Sequence, residues 1–500
     1  MTDQNSKIGK EKSAKEKIPE VRRAVSDVGQ VGSGVEKVGE GFYDVIAGGA
    51  NAGKEVVEFA GREVASGAKI TAKVESESAK LVAGELGRIV SLPYKKRRNI
   101  RDFFLYSRKG VITGSADDDP SSVVTYAQSG AIAGFSQLWL LLISTPMLIA
   151  IEEMTARIGV VTKKGLGRII SERFGMRVGV PVALAILITN FIIIGADIAA
   201  MSNILGTILG ISWFWLILPI GLLIAIFLVT KGYAVISRYL FVVTLALLAY
   251  VVSTFMMHPP WMQILHGTFL PSISFGHDWW LVAVALVGGT LSAYNFFWQT
   301  TEEVEENVRV KDLGKTQTGV TAGMIWSNMI SFFIIVATAT VFAGKNVFIS
   351  SPQSAALALK PLAGNFSFAL FSIGILGAGL IALPVMAATS AYVISDVFHW
   401  REGLDRKFSE ARGFYIVIIF SVLASGLVAL FGIDPMRMLL YSQVIAGILV
   451  PILLVITLKI ANSKEIMGEH KNKFWSNAGG WFAFVVMMAL ILMMILQWLK

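Results

Sequence analysis

The chain has no cysteine among its 500 residues, which removes disulfides, thiolate metal sites and cysteine nucleophiles at once and leaves the redox compartment unmarked. Charge is scarce too: 16% of residues are Asp, Glu, Lys or Arg against 54% that are hydrophobic, and mean hydropathy is +0.63. That balance is too apolar for a soluble protein of this length and predicts an integral membrane protein. The five histidines show no ligand spacing, and neither a phosphate-binding loop nor a nucleophile motif occurs. The sequence therefore predicts no enzyme and no bound cofactor. No apolar leader segment follows a basic start in the first hundred residues, so the N-terminus is expected to stay cytoplasmic.

A formal net charge of +9 raises nucleic acid as a partner. The Lys and Arg residues, however, gather in the first hundred residues and in alternate loops, a pattern that membrane topology explains and nucleic-acid binding does not. Residues 1–100 form an arm rich in Lys, Glu, Gly and Ser. Valines 21, 25, 28, 31, 35 and 38 would make one weak apolar stripe that the glycines undermine. The arm is expected to be mostly disordered or loosely helical, with a membrane-surface segment or a coil for an unidentified partner as the alternative.

From about residue 105 the chain is all-α in expectation, with eleven segments long enough to cross a hydrocarbon core of about 30 Å as helices. They cover 109–131, 137–158, 179–205, 211–230, 235–256, 280–300, 319–343, 366–397, 413–431, 436–459 and 479–499, and are numbered here as spans 1 to 11. The loops support the count. Arg157, Lys163, Lys164, Arg168, Arg173 and Arg177 lie between spans 2 and 3; Lys231 and Arg238 between 4 and 5; Arg401, Arg406, Lys407 and Arg412 between 8 and 9; Lys459, Lys464, Lys471 and Lys473 between 10 and 11. The stretch from His258 to His277 has no Lys or Arg. The positive-inside rule then puts the N-terminal arm, which ends in "KKRRNIR" just before span 1, in the cytoplasm and Lys500 outside.

Span 1 is interrupted at "SADDDPSS" and span 6 at "VGGTLSAYN". Corresponding breaks five helices apart point to a 5+5 inverted repeat with a substrate site at the bilayer midplane. The expected organisation is an arm over 1–100, a ten-helix core over 105–460, and a cytoplasmic loop with the eleventh helix over 461–500.

Three adjacent aspartates in an apolar span cost roughly 8 to 10 kcal/mol if all face lipid, at about 2.5 to 3.5 kcal/mol each. They must face protein or an aqueous cavity. Pro120 disfavours helix at Asp119 and frees carbonyls over 115–118 as ligands. Carboxylate and carbonyl oxygens are hard donors suited to a divalent cation. Asp119, at the break itself, is the principal candidate; Asp117 and Asp118 either attract the ion and hold its outer waters or simply cap the following helix.

In span 6, Gly288 and Gly289 permit unwinding, and Ser292 and Asn295 offer oxygens one turn apart, with close helix packing as the alternative role for the glycines and Ser292. In span 3, Asn190 and Asp197 share a face, and Asp197 lacks an obvious basic partner in sequence, which marks it as a pathway residue unless a neighbouring helix bonds it. Ser442 and Gln443 sit in apolar span 10. Glu302, Glu303, Glu305 and Glu306 are expected on a solvated loop face, with an acidic exit vestibule as the alternative. Glu153 and Arg157 have the spacing of an i, i+4 pair.

The break motif, "MTARIGVVTKKGL" after span 2 and "LLYSQVIAGILVP" in span 10 resemble the NRAMP family of divalent-metal transporters over roughly residues 105–460. The resemblance implies the LeuT-type fold and alternating access. The family's Asp-Pro-Gly-Asn falls on Asp119, Pro120, Ser121 and Ser122, so the aspartate is kept and the asparagine becomes serine. Its Ala-x-x-Met-Pro-His falls on Gly289 to Tyr294, with Ser292 in place of methionine. The resemblance thus implies a metal site of Asp119, Ser122, the Gly289 carbonyl, Ser292, Asn295 and, in one conformational state, Gln443. Loss of the thioether favours a harder ion, as in the NRAMP-related magnesium transporter branch; Mg2+ is the expected substrate and Mn2+ a second. The family's Asp-Leu-Ala-Glu falls on Asp197 to Ala200, and span 9 lacks the family's arginine, so the proton route is incomplete and membrane potential is the expected drive.

Three rivals remain. A proton-coupled Mn2+ or Fe2+ importer differs in ion and energy source. A carrier of amino acids or organic cations of the same architecture would meet repulsion between substrate carboxylates and the aspartates. A metal sensor or scaffold, signalling through the arm, belongs to another class. The expected location is a bacterial-type inner membrane, with lipid and the divalent ion as partners and no nucleic acid.

Overall fold

In lipid every backbone N–H and C=O must find a partner within the protein, so apolar spans fold as helices. The computed structural model describes residues 114, 118–230, 248–342, 348–356, 364, 367–429 and 434–499, and the regular structure in them is entirely helical. The arm, Asp117 and most of spans 1 and 5 before Asp118 and Leu248 lie outside these residues.

Span 1 is Pro120–Ala133 and span 2 Leu138–Thr162, joined by a single turn of 3-10 helix. Span 3 is Met176–Leu209, after a short surface helix at Leu166–Phe174. Span 4 is Ile217–Thr230, and Leu248–Met256 is the described part of span 5. Span 6 is two helices, His277–Thr290 and Asn295–Glu305. Spans 7 to 11 are Leu313–Phe342, Ser367–Phe398, Arg412–Ala429, Pro435–Asn462 and Phe474–Trp498. Among the described residues, eight continuous helical runs are long and apolar enough to cross a membrane; one, Pro120–Thr162, holds spans 1 and 2 together, while span 9 is shorter.

The packing exchanges the two halves. Span 1 packs chiefly on span 7, and the second helix of span 6 packs on span 2, which is the same pairing once span 1 is exchanged with span 6 and span 7 with span 2. Both contacts use a glycine. A Cβ on Gly130 of span 1 would stand 2.5 Å from the Ile335 carbonyl of span 7, and one on Gly159 of span 2 would collide with the Thr300 carbonyl of span 6. Close backbone approach of this kind is how membrane helices gain packing without a hydrophobic drive.

Two expectations need correcting. The span 6 break lies at Leu291–Tyr294, and Gly288 and Gly289 are in the last turn of the helix before it. Gly288 is there for contact: its Cβ would lie 2.6 Å from Gly447 Cα and 2.7 Å from the Gln443 carbonyl of span 10. Glu302 and Glu303 are not on a solvated face; they are 7% and 6% exposed, because the second helix of span 6 presses this side against span 2. Glu153 and Arg157 keep the mutual attraction expected of an i, i+4 pair, and each has a further partner, Glu153 accepting from Thr321 and Arg157 donating to Asn472.

Candidate metal-ion site

Proline at the first helical position supplies no N–H, so the orphan donors of span 1 begin with the next residues. Asp119 caps them. Its backbone is extended, at φ −65° and ψ 166°, and its Oδ1 accepts from the Ser122 N–H at 2.5 Å. The hydrogen bond satisfies one of the orphan donors at the positive end of the helix. The capping role suggested for Asp117 or Asp118 thus belongs to Asp119, which is fully buried.

Span 10 provides the facing wall. Gln443 Nε2 donates to Asp119 Oδ1 at 3.3 Å and Oδ2 at 3.4 Å, and lies 3.4 Å from Ser122 Oγ. The first helix of span 6 closes the third side: a Cβ on Gly289 would stand 3.2 Å from Gln443 Oε1 and 3.4 Å from Ser122 Oγ. Asp119, Ser122, Gly289 and Gln443 therefore meet in one buried polar cluster where the break of span 1 faces span 6 and span 10. Ser292, in the break, donates its hydroxyl to the Gly289 carbonyl at 2.5 Å. Asn295 begins the second helix, its N–H bonded to the Ser292 carbonyl at 3.1 Å. Both are buried.

The acids beside this cluster point elsewhere. Asp197 of span 3 accepts from the Ser121 N–H at 3.1 Å and the Ser121 hydroxyl at 2.6 Å, and Ser442 reaches Ser121 Oγ at 3.3 Å. Span 3 thus holds a second orphan donor of span 1. Asp118 turns to span 7, where Ser327 and Ser331 approach its Oδ1. Asn190 is not brought to the cluster; its amide donates to Ser390 Oγ at 2.9 Å and to the Met386 carbonyl of span 8.

The residues that sequence reasoning misses are hydroxyls. Ser121, Ser327 and Ser331 are of a type common in membrane helices, and only the i, i+4 spacing of the last two inside an apolar span marks them out. Glu152 carries no signal beside Glu153, yet it is 1% exposed in span 2. All the donors named around Asp119 are oxygens or amides, so the chemistry available is reversible coordination of a hard cation.

Residues 110–497 match the profile of the Nramp family, described as natural resistance-associated macrophage protein-like. The chain is similar to a divalent metal cation transporter MntH of Bacillus subtilis, 24% identical over 421 residues that cover 80% of this chain and 94% of that protein. A divalent metal cation transporter MntH of Pectobacterium carotovorum is 25% identical over 388 residues, 74% and 89% of the two chains. The crystal structure of an Eremococcus coleocola manganese transporter, in complex with an aromatic bis-isothiourea substituted compound, matches with a TM-score of 0.60 at 17% identity, over 78% of this chain and 85% of that one. A closed nucleobase-cation-symport-1 family transporter matches at a TM-score of 0.50 and 14% identity, over 78% and 92%. At these identities the structural likeness concerns the fold, which is the LeuT-type fold implied by the resemblance, with the inverted repeat expected from the two breaks.

Proposed function

The chain belongs to the Nramp family, and from that premise we propose that it imports a divalent metal cation, Mg2+ first and Mn2+ second, across a bacterial-type inner membrane by alternating access. The observation that carries the reading is the meeting of Asp119, Ser122, Gly289 and Gln443 in one buried polar cluster where the break of span 1 faces span 6 and span 10. Asp119 supplies the charge, Ser122 and the Gly289 carbonyl supply neutral oxygens, and Gln443 turns its amide oxygen to the ion in one state. Ser292 and Asn295 complete the shell as span 6 moves.

The relatives named above as metal transporters carry manganese or divalent metals by their names, which supports Mn2+ as a substrate. Mg2+ is favoured by the side chains: Ser292 stands where the family has a thioether, and an all-oxygen set loses the preference for softer ions. Two charges falling through 100 mV gain about 4.6 kcal/mol, enough to drive uptake without protons. The loop charges support a cytoplasmic N-terminus and an external C-terminus. Asn190 and Asp197 are assigned to holding the helices around the pathway, and Asp117 and Asp118 to its acidic surroundings.

The test is uptake into proteoliposomes containing a Mg2+-sensitive dye, with Mn2+ as competitor, for the parent and Asp119→Ala. Loss of uptake in the variant is expected; equal uptake by both would remove Asp119 from the site. A proton-coupled Mn2+ or Fe2+ importer is the second reading. Deleting residues 1–95 tests the sensor alternative, since an importer keeps transport without the arm.

A further inference from the structure

The second helix of span 6 carries a polar stripe. Asn295, Gln299 and Glu303 follow one another at i, i+4, with Glu302 beside the last, and all four are buried. The stripe begins at the break, where Asn295 belongs to the proposed shell of the ion, and at 1.5 Å per residue it reaches Glu303 about 12 Å nearer the end that the loop charges place in the cytoplasm. Span 2 walls it. The Thr300 hydroxyl reaches the Thr155 carbonyl at 3.3 Å, and a Cβ on Gly159 would stand 3.2 Å from Glu303 Cβ. Glu152, one turn before Thr155 on the same face of span 2, is close enough to Glu302 for the two charges to repel.

Two membrane helices that merely pack do so with small and apolar residues, and acids between them are costly. Here two acceptors are also left over. Glu152 Oε2 and Gln299 Oε1 have no hydrogen-bond partner among the described residues, although each side chain is 1% exposed. The Gln299 amide is fixed by its nitrogen, which donates to Glu303 Oε1 at 3.1 Å, so its oxygen is held within the cluster. Buried oxygens without donors, gathered beside carboxylates, mark a place for a hard cation. Among the described residues no three acids or histidines are set to hold a bare ion; the set is a loose one of carboxylate and amide oxygens. Looseness suits passage, because an ion must bind well enough to enter and weakly enough to leave. Mg2+ usually keeps several of its waters, and oxygens too far apart to coordinate it directly still hold it through them.

We infer that Glu152 of span 2 and Gln299, Glu302 and Glu303 of span 6 form an inner transfer site, which takes the divalent ion from Asp119 with part of its water shell and releases it to the cytoplasm. The inference rests on Asp119 being the principal ligand. It gives the acids that the sequence alone assigns to a solvated loop a part in release.

Two measurements test it. In equilibrium binding of 54Mn2+ to the purified full-length chain, the parent should hold two saturable ions, the second about tenfold or more weaker than the first. Asp119→Asn should keep only the weaker ion. The Glu152→Gln, Glu303→Gln double variant, which preserves shape at both positions, should keep only the tighter one, and that binding shows that it is folded. If the double variant does not fold, Glu152→Gln alone should weaken the second ion severalfold. In proteoliposome uptake, Glu152→Gln should lower the maximal rate about tenfold without raising the concentration for half-maximal uptake, because release slows while capture at Asp119 is untouched. A parent that binds one ion, lost in Asp119→Asn, overturns the inference and leaves Asp119 in place, as does a folded double variant that keeps both ions or an unchanged maximal rate in Glu152→Gln. Two ions that both survive Asp119→Asn would instead overturn the reading of Asp119.

Discussion

The amide nitrogen of Gln443 lies 3.3 Å from one carboxylate oxygen of Asp119 and 3.4 Å from the other, while the amide oxygen of Gln443 has no hydrogen-bond partner among the described residues. The contact joins span 10 to the break in span 1 across the space assigned to the ion. A half-turn of the amide would offer oxygen to a cation on Asp119. Gln443→Ala should therefore weaken apparent affinity about tenfold, the worth of one charge-assisted contact of about 1.5 kcal/mol, with the protein still folded. Concentration-dependent uptake in proteoliposomes checks this, and unchanged affinity would take Gln443 out of the site.

Two neighbouring glycines should fail in different ways. A Cβ on Gly289 meets the ends of two site side chains, Gln443 Oε1 at 3.2 Å and Ser122 Oγ at 3.4 Å. Those chains can shift slightly, so Gly289→Ala should fold with near-normal thermal stability and lose uptake. A Cβ on Gly288 meets backbone of span 10 at 2.6 and 2.7 Å, which cannot yield cheaply. Gly288→Ala should cost about 1–3 kcal/mol through overpacking and show a lowered melting temperature. Scanning fluorimetry beside uptake separates the pair.

Ser292 occupies the break of span 6 with its hydroxyl on the Gly289 carbonyl. Ser292→Met both frees that carbonyl and supplies a thioether, which favours softer ions. The ratio of Cd2+ to Mg2+ uptake should rise by about tenfold or more. An unchanged ratio in a variant that still transports would separate ion choice from this position.

How far the sequence discloses the site depends on the kind of signal. Asp119 is legible because a proline next to it interrupts the helix at the very point where an acid in an apolar span must be kept from lipid, and Gly289 because its break has a counterpart five helices earlier. Gly288 and Gly289 look like unwinding points in sequence, yet what their lack of a side chain permits is contact with span 10, a partner distant along the chain. Glu302 and Glu303 seem destined for solvent because charge density in sequence does not reveal that Gly159 lets span 2 come against them. Ser327 and Ser331 carry almost no signal, since a serine in a membrane helix usually bonds its own backbone, and only the position of Asp118 distinguishes them.

Glu402, in the loop between spans 8 and 9, has its carboxyl pushed up to about 9, first by burial and then by the negative charge and hydrogen bond of Asp396, with Glu305 adding to it and Arg168 opposing. Folded protein therefore holds a proton that the unfolded chain releases near its ordinary value of about 4.3. Stability from this group is full below that value and falls as pH rises toward 9, since the folded state binds more protons throughout the interval. Melting temperature should decline from about pH 6 to about pH 9, and Glu402→Gln should flatten the decline. A variant with the parent's slope would assign the pH dependence elsewhere.

Asp197 bears on the energy source. Its Oδ1 accepts from the Ser121 N–H and hydroxyl, which hold the start of span 1 in place, while its Oδ2, the oxygen a proton would have to use in a proton-coupled carrier, has no hydrogen-bond partner among the described residues. Asparagine keeps an acceptor oxygen there and alanine does not. If holding Ser121 is the role, Asp197→Asn should retain uptake within about tenfold of the parent, and Asp197→Ala should lose more, because a buried backbone donor left unpaired costs about 1–3 kcal/mol. Uptake by the parent and by Asp197→Asn should follow a valinomycin-set K+ potential and ignore an imposed pH gradient. Proton influx in step with metal uptake, abolished in both variants alike, would assign Asp197 to proton transfer and replace the membrane potential as the drive.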